Sequence, residues 1–259
     1  LQLRAEAEAV ADAEPALAST IHATILAHKT FAGALAYQLA HKLAGPELEA
    51  LKIREICDNA YAASPEIIEQ AEADMRAVIE RDPACMSSVQ PFLFFKGYQA
   101  LQTYRIAHWL WNEGRETLAY LFQSRSSELF TIDIHPAAKI GSGVMLDHAT
   151  GITIGETAVV GDDCSILQGV TLGGTGKEAG DRHPKIGRGV LLSAGAKVLG
   201  NITIGDEAKV AASSVVLKDV PSKCTVAGIP ARPIGGPCCE PARNMDQTLP
   251  EGAISSGGG

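Results

Sequence analysis

Aliphatic residues recur every six positions through the second half of the chain. The series begins at Ile134, shifts by two residues after Ile152, is interrupted after Leu172 and ends at Val216. Its members are Ile134, Ile140, Leu146, Ile152, Ile154, Val160, Ile166, Leu172, Ile186, Leu192, Val198, Ile204, Val210 and Val216. A period of six fits neither a helix face nor a simple strand, and it is typical of the hexapeptide repeats of a parallel β-helix. Three hexads make one triangular coil, so four to five coils are predicted.

The first half of the chain follows a different rhythm. Apolar residues recur there at intervals of four, as in Leu17, Ile21, Ile25 and Leu35, Leu39, Leu43, which predicts helices. One helix is expected to end near Arg81, because the residue before Pro83 is disfavoured in the helical region. Two further helices are predicted over residues 96–113 and 115–128.

Composition divides the chain at the same point. All 13 aromatic residues lie in residues 1–130, whereas 22 of the 26 glycines follow residue 130. A narrow β-helix interior suits aliphatic side chains, and its corners suit glycine. The predicted fold class is therefore α+β, with an all-α N-terminal domain over residues 1–130 and a β-helix over 131–220. A Pro/Gly-rich C-terminal tail, extended or flexible, is predicted over residues 221–259.

Charge and composition exclude some classes of partner. The formal net charge is −8, which argues against nucleic acid, because phosphate binding needs a basic surface. No run of 18 apolar residues occurs, so no membrane span is expected. The six cysteines lack the spacing of a disulfide framework, which predicts reduced thiols and a cytoplasmic location.

One histidine of the β-helix half has acidic neighbours. His148 directly follows Asp147, and Asp133 stands 15 residues earlier, a little under one coil. Stacked coils lie about 4.8 Å apart, so Asp133 is expected beneath His148. A carboxylate in that position would orient the imidazole as a general base. The alternative is a surface histidine without a role.

The interruption of the repeat is the second candidate for chemistry. Residues 173–185 add eight residues to one hexad and carry Arg182 and His183. A long loop that leaves a regular solenoid is often functional, and Arg182 offers a planar fork for a carboxylate. A solvated turn is the alternative. The glycines of this segment do not make a phosphate-binding P-loop, because the strand–GxxxxGK[ST]–helix context is missing. The spacing of the three histidines after residue 131 does not favour a metal site.

Several motifs together resemble the serine O-acetyltransferase family. They are Asp133–Gly141, Leu146–Gly151, Gly155–Ala158, Gln168–Gly176 and Asp181–Gly187, with Arg81–Ala84 in the helical part and Ala227–Arg232 near the end. Hexapeptide repeats alone are shared by many acyltransferases. The Asp147-His148 pair combined with the Gly-rich loop and Asp181-Arg182-His183-Pro184 is far more specific.

The resemblance implies a left-handed β-helix, assembled as a trimer or as a dimer of trimers. It also implies transfer of the acetyl group of acetyl-CoA to the hydroxyl of L-serine, without an acyl-enzyme and without a metal. His148 matches the family's general base, and Asp133 matches its dyad partner. Arg182 and His183 match residues that hold the substrate carboxylate, whereas Asp82 and Asp147 match residues that hold the amino group.

Further expectations concern the second substrate and the partners. The CoA arm is expected near the backbone of Gly174, Thr175, Ala194 and Ala212 and near the side chain of Lys209. L-cysteine is the expected feedback inhibitor, because it differs from serine in one atom. Many family members bind O-acetylserine sulfhydrylase through a C-terminal isoleucine. This sequence stops at Gly259 with Ile254 internal, which leaves that partner open.

Two other functions compete with this interpretation. Another hexapeptide acyltransferase, acting on a sugar or on an amine of a diaminopimelate precursor, would share the fold and CoA but need a different acceptor pocket. A non-catalytic β-helix scaffold would have no turnover to lose when His148 or Asp133 is replaced.

Overall fold

The computed structural model describes residues 2–176, 179–235 and 239–249, and the predictions for residues 250–259 lie outside these ranges. The first 130 residues form helices. They are α1 (Gln2–Ala13), α2 (Pro15–Ile21), a π-helical turn (His22–Leu26), α3 (Phe31–Leu43), α4 (Ala50–Ala63), α5 (Glu66–Arg81), α6 (Val89–Leu93), α7 (Lys96–Asn112) and α8 (Glu116–Phe130). Helix α5 ends at Arg81, as Pro83 predicts, with Asp82 in an extended conformation. Within the described ranges, none of the helices has the length and apolarity needed to cross a bilayer.

Short strands follow from Asp133 and wind into a parallel β-solenoid. They are β1 (Asp133–Ile134), β2 (Lys139–Ile140), β3 (Met145–Asp147), β4 (Thr153–Ile154), β5 (Val159–Val160), β6 (Ser165–Leu167), β7 (Thr171–Gly173), β8 (Lys185–Ile186), β9 (Leu191–Leu192), β10 (Lys197–Leu199), β11 (Thr203–Ile204), β12 (Lys209–Val210), β13 (Val215–Val216), β14 (Thr225–Gly228) and β15 (Ala231–Gly235). Every third strand stacks on the same side, giving three sheets. The first contains β1-β4-β7-β10-β13, the second β2-β5-β8-β11, and the third β3-β6-β9-β12-β14-β15.

The strand register confirms the six-residue pattern. In the first sheet Ile134 pairs with Ile154, Ile154 with Leu172, and Leu172 with Val198. All 14 aliphatic residues of the series are buried, with at most 8% of their surface exposed. The interruption lies between β7 and β8, at the edge where the first and second sheets meet, and the stacking of Leu172 on Val198 is preserved across it. The extra residues therefore leave the solenoid at an edge without changing which side chains stack.

A buried polar network joins the helices to the solenoid. Asp74 of α5 accepts hydrogen bonds from Arg105 Nε and Nη2 of α7 at 2.9 and 2.7 Å and from the backbone N of Val144 at 3.0 Å. Arg105 Nη2 also donates to the carbonyl oxygen of Gly141 at 2.8 Å. Burial raises the pKa of Asp74, and the Arg105 charge opposes that rise. The network fixes two helices against the first coil, because neither charge has access to bulk water.

The same junction contains one very close backbone approach. A Cβ atom on Gly97, at the start of α7, would lie 2.1 Å from the carbonyl oxygen of Leu146 in β3. Only glycine allows the helix to approach this strand so closely. The N-terminal end of α7 is thereby placed beside Asp147 and His148.

The C-terminal region differs from the predicted extended or flexible tail in its described part. Strand β14 continues the third sheet, β15 pairs antiparallel to it, and a helical turn, α9, covers Pro241–Asn244. Ser165 Oγ donates to the carbonyl oxygen of Ala242 at 2.8 Å. Residues 239–249 therefore pack over the outer surface of the third sheet, where outward side chains such as Ser165 are fully buried.

Candidate active site

His148 lies at the edge between the third and first sheets, directly after β3. His148 and Ala149 both adopt left-handed backbone conformations, with φ of 52° and 61°. Residues other than glycine rarely adopt this conformation, which other turns of the solenoid share, at Asp163, Glu207 and Ser213. The turn presents the imidazole outward, with 76% of its side chain exposed. Lys96 Nζ donates to Thr150 Oγ1 at 2.5 Å and ties this corner to α7.

Two carboxylates share a cavity with His148. The cavity has a volume of about 450 Å³ and is lined by Asp82, Asp147 and His148 together with Phe94 and Phe95. Burial raises the pKa of Asp147, and the Asp82 carboxylate adds to the rise while His148 opposes it. Paired carboxylates that are partly withdrawn from water form a favourable site for a cationic group such as an ammonium.

Asp133 and His148 belong to the same edge, but the structure gives each a different neighbour. Asp133 Oδ1 accepts a hydrogen bond from Gln123 Nε2 of α8 at 2.6 Å. The Nε2 atom of His148 lies 3.9 Å from Asp147 Oδ1. Among the described residues no hydrogen bond joins Asp133 to His148. In the ladder, Asp133 stacks on Thr153, which lies 20 residues later because of the two-residue shift in the repeat.

Arg182 and His183 lie at another edge, where the first and second sheets meet. Arg182 Nη2 contacts Glu156 Oε2 at 2.7 Å. The backbone N atoms of Arg182 and His183 both donate to Thr157 Oγ1, at 3.0 and 3.1 Å. The end of the insert is thus attached to the turn that follows β4.

His183 is buried in this arrangement, with 7% of its surface exposed. Its Nδ1 atom accepts a hydrogen bond from the backbone N of Thr157 at 3.1 Å. Burial lowers the pKa of His183, and the positive charge of Arg182 lowers it further. A Cβ atom on Gly155 would come within 2.1 Å of the ring, so the imidazole rests directly on that glycine. The acceptor role of Nδ1 is that of a neutral imidazole.

The residues predicted to contact CoA are divided between the two edges. Ala194 and Ala212 follow β9 and β12 at the His148 edge, where Ser213 N donates to the carbonyl oxygen of Ala194 at 2.8 Å. Gly174 packs against Arg182 and Thr175 against Gly200 at the other edge. Lys209 lies on the outer face of β12, where its Nζ donates to the carbonyl oxygens of Asp246 and Thr248 at 2.9 and 2.6 Å. Its ammonium is thus engaged by the C-terminal segment.

The six predicted catalytic and substrate-binding residues therefore form two groups. One group contains Asp82, Asp133, Asp147 and His148, and the other contains Arg182 and His183. A full face of the solenoid, at most about 20 Å of extended chain, separates the two edges. Within the described ranges, no hydrogen bond or ion pair connects the groups, and no cluster of three or more His, Cys, Asp or Glu side chains is arranged for a metal ion.

Glu156 and Thr157 were missed as site residues by the sequence analysis. Both belong to a motif that the resemblance includes, Gly155–Ala158, but no role was assigned to them. Their position gives the missing signal, because they occupy the edge directly beneath the insert, one coil earlier. A search for polar residues one coil from Arg182 would have found them.

Comparison with known proteins identifies the family. A family model described as "Serine acetyltransferase, N-terminal" matches residues 1–103, and one described as "Bacterial transferase hexapeptide (six repeats)" matches residues 183–218. The chain is 58% identical over 246 residues to a serine acetyltransferase of Salmonella typhimurium, covering 95% of this chain and 90% of the relative.

Solved structures give the same result. A serine acetyltransferase in complex with cysteine superposes with a TM-score of 0.94 at 53% identity, covering 96% of this chain and 97% of the other. A complex of the Brucella abortus enzyme with coenzyme A gives 0.90 at 51% identity, with coverage of 92% and 95%. A complex of the Neisseria gonorrhoeae enzyme with serine gives 0.88 at 52% identity, with coverage of 90% and 95%. These matches confirm the resemblance of the motifs: the chain belongs to the serine acetyltransferase family of acyltransferases.

Proposed function

We propose that this protein transfers the acetyl group of acetyl-CoA to the hydroxyl of L-serine, giving O-acetyl-L-serine and CoA. The complementary charge of the two groups of site residues carries the proposal. Asp82 and Asp147 supply negative charge beside His148, whereas Arg182 with the neutral donor His183 supplies a carboxylate-binding pair. A small zwitterion with an ammonium and a carboxylate matches both ends. The relatives bound to serine and to coenzyme A support the same substrates.

The complete site is proposed to form between two copies of the chain. Asp82, Asp147 and His148 occupy one edge of the solenoid and Arg182 and His183 occupy another. Side-by-side packing of solenoids brings unlike edges together and closes into a ring, which is the geometry of a heterologous cyclic oligomer. A trimer, or a dimer of trimers, fulfils this requirement.

His148 is the proposed general base. It takes the proton of the serine hydroxyl while the hydroxyl oxygen attacks the thioester carbonyl carbon. The bond from carbon to sulfur then breaks, and the CoA thiolate recovers the proton from the His148 imidazolium. No acyl-enzyme forms. Asp133 is proposed to orient the imidazole during this step, which requires it to exchange its hydrogen bond with Gln123 for one with His148.

Acetyl-CoA is proposed to lie in the groove between neighbouring solenoids. Ala194 and Ala212 form the wall below His148, and the partner copy contributes Gly174 and Thr175. Small residues on both walls leave backbone groups accessible to the amides of the pantetheine arm. Lys209 would contact CoA only after release from Asp246 and Thr248.

Regulation and partners follow from the same site. L-cysteine is proposed to compete with serine, because it presents the same ammonium and carboxylate, and a relative has been solved in complex with cysteine. Raising the serine concentration should therefore relieve the inhibition. The cytoplasmic location and binding of the sulfhydrylase stay predictions.

The deciding experiment measures thiol release from acetyl-CoA with and without L-serine, for the parent protein and for His148→Asn. Asparagine tolerates a positive φ, so this exchange removes the base without adding backbone strain at φ 52°. Loss of a general base is expected to lower serine-dependent turnover by about 10²- to 10⁴-fold.

His22→Asn is the matched control, because His22 is exposed on the helical half, far along the chain from the site. It should retain parental turnover. A parent protein without serine-dependent release would refute the acceptor and favour another hexapeptide acyltransferase. Full turnover in His148→Asn would keep the reaction and remove His148 from the role of base.

A further inference from the structure

We propose that Thr157 is a positioning residue that holds the His183 ring in a single tautomer, with the proton on Nε2. This inference deepens the proposed function, because His183 is the group expected to donate to the substrate carboxylate. Thr157 itself touches neither substrate nor the reacting atoms in this assignment, and acts through His183.

The Thr157 hydroxyl fixes the position of the backbone beside His183. A hydroxyl accepts two hydrogen bonds and donates one. Both acceptor positions of Thr157 Oγ1 are taken by the backbone N–H groups of Arg182 and His183, at 3.0 and 3.1 Å. The one proton of this hydroxyl has two acceptors within reach, His183 Nδ1 at 2.9 Å and the Asp181 carboxylate.

The backbone of Thr157 fixes the tautomer of the ring. The backbone N–H of Thr157 points to His183 Nδ1 at 3.1 Å, and a backbone N–H can only donate. Nδ1 therefore accepts a hydrogen bond and cannot carry a proton of its own. In a neutral imidazole the proton must then reside on Nε2.

The surroundings keep the ring neutral and in place. The charged and titratable groups that act on His183 are Arg182, Glu156, Lys185 and His135, of which only Glu156 is acidic, and Glu156 is already engaged by Arg182. Lys185 Nζ donates to the carbonyl oxygens of Thr157 and His183 at 2.8 and 2.7 Å, which ties the two segments together on the other side.

This clamp gives His183 a role different from that of His148. A neutral ring with its only proton on Nε2 can donate to a carboxylate oxygen but has no free nitrogen to accept a proton. The serine hydroxyl proton then has a single imidazole acceptor, His148. Thr157 thus separates the binding histidine from the basic histidine by geometry.

The test combines ¹⁵N NMR of the imidazole nitrogens with steady-state kinetics on the full-length protein. Thr157→Val keeps the shape of the side chain and removes its hydroxyl, whereas Thr157→Ser retains the hydroxyl and removes the methyl group. His183→Gln identifies the His183 signals by their disappearance. In the parent and in Thr157→Ser, we expect protonation at Nε2 alone and titration below the ordinary range of histidine.

In Thr157→Val the backbone N–H that points to Nδ1 remains, so we expect the same tautomer. Loss of the hydroxyl leaves the backbone N–H groups of Arg182 and His183 without this acceptor, so the KM for serine should rise by roughly tenfold, as expected for a displaced binding group. The KM for acetyl-CoA should change less than twofold. A parental His183 protonated at Nδ1 would overturn the clamp, as would a Thr157→Val protein with a parental KM for serine.

The two proposals can fail separately. A parent protein without serine-dependent turnover refutes the proposed function, while the ring nitrogens still decide the tautomer. If Thr157→Val does not fold, the parent spectrum and the His183→Gln assignment remain sufficient to refute or support the clamp.

Discussion

The helical half and the solenoid bury their apolar residues in different ways. The helical half buries large aromatic side chains such as Phe92 and Tyr98, which do not recur at a fixed spacing and fill gaps between helices. The solenoid stacks one aliphatic column per sheet, and each member pairs with its counterparts in the coils above and below. Stability in such a ladder is nearly a sum of neighbour terms, whereas a helical core depends on many elements at once. The comparison teaches that the junction between them, where neither pattern applies, must be specified by other interactions.

Those interactions are polar contacts and close approaches rather than apolar area. Asp74 and Arg105 form the polar part, and Gly97 against Leu146 forms the close approach. Their partners in the solenoid, Val144 and Leu146, lie within three residues of Asp147. The junction therefore also sets the geometry of the acidic part of the site.

Among variants of the junction, Asp74→Ala is expected to have the largest effect on the free energy of unfolding. The exchange leaves the Arg105 guanidinium buried and unpaired, which should lower the free energy of unfolding by about 3–5 kcal/mol. Urea denaturation measured by circular dichroism would give this value.

Asp58→Ala is the matched control, because Asp58 pairs with Arg54 at 3.7 Å on the exposed surface of α4. It should cost less than about 1 kcal/mol. Equal losses for the two variants would show that the junction needs no buried ion pair.

Gly97→Ala should have the next largest effect. The new methyl group would meet the carbonyl oxygen of Leu146, so α7 must shift away from β3, at a cost of about 1–3 kcal/mol. Because α7 carries one wall of the cavity around His148, serine-dependent turnover should fall as well. Thermal unfolding and the thiol-release assay measure the two effects.

Gly33→Ala provides the comparison within the helical half. Its new Cβ atom would lie 3.3 Å from Thr30 Oγ1, the N-cap of α3, and 3.8 Å or more from His28, so a shift of a few tenths of an ångström accommodates it. Stability and turnover should stay near parental values, since alanine also favours the helix. A Gly97→Ala protein that behaves like Gly33→Ala would refute the close approach as a determinant of the site.

The smallest effect is expected from Asp147→Asn, and its size depends on pH. Burial raises the pKa of Asp147 in the folded state. At pH values just above the ordinary pKa of aspartate, the folded protein therefore binds more protons than the unfolded chain. Folding stability therefore falls as the pH rises through the raised pKa. Asparagine carries no charge, so the variant should be more stable than the parent at pH 7.

The gain should stay below about 1 kcal/mol, because the cavity opens to solvent and water screens the two carboxylates. It should vanish as the pH falls below the pKa of aspartate in the unfolded chain, where both proteins are uncharged at this position. Denaturation curves from pH 3 to pH 8 measure the difference. A parent more stable than Asp147→Asn at pH 7 would contradict the raised pKa.

The solenoid was largely predictable from the sequence, whereas partners across the molecule were not. Each residue of the repeat has an inward or outward position fixed by the period, so Leu172 and Ile186 could be assigned to the interior despite the insert between them. The period does not say which outward residues meet. Asp133 was expected beneath His148, but its observed neighbour is Gln123 from α8, because a helix outside the repeat covers that side chain.

The same limit applies to the insert and to Lys209. Arg182 and His183 were identified by their position in the interruption, but Glu156 and Thr157, which hold them, are ordinary members of the repeat. Lys209 was assigned to CoA, and its observed neighbours Asp246 and Thr248 come from a segment whose packing no periodicity predicts.

The insert at residues 173–185 has a consequence for how such a protein can change over evolutionary time. Because Leu172 still stacks on Val198, chain length at this edge is uncoupled from the rest of the fold. Residues can be gained, lost or exchanged there without altering a single rung of the ladder. A lineage could therefore acquire a different acceptor specificity through small insertions at one edge, while the scaffold that supports them stays as it is.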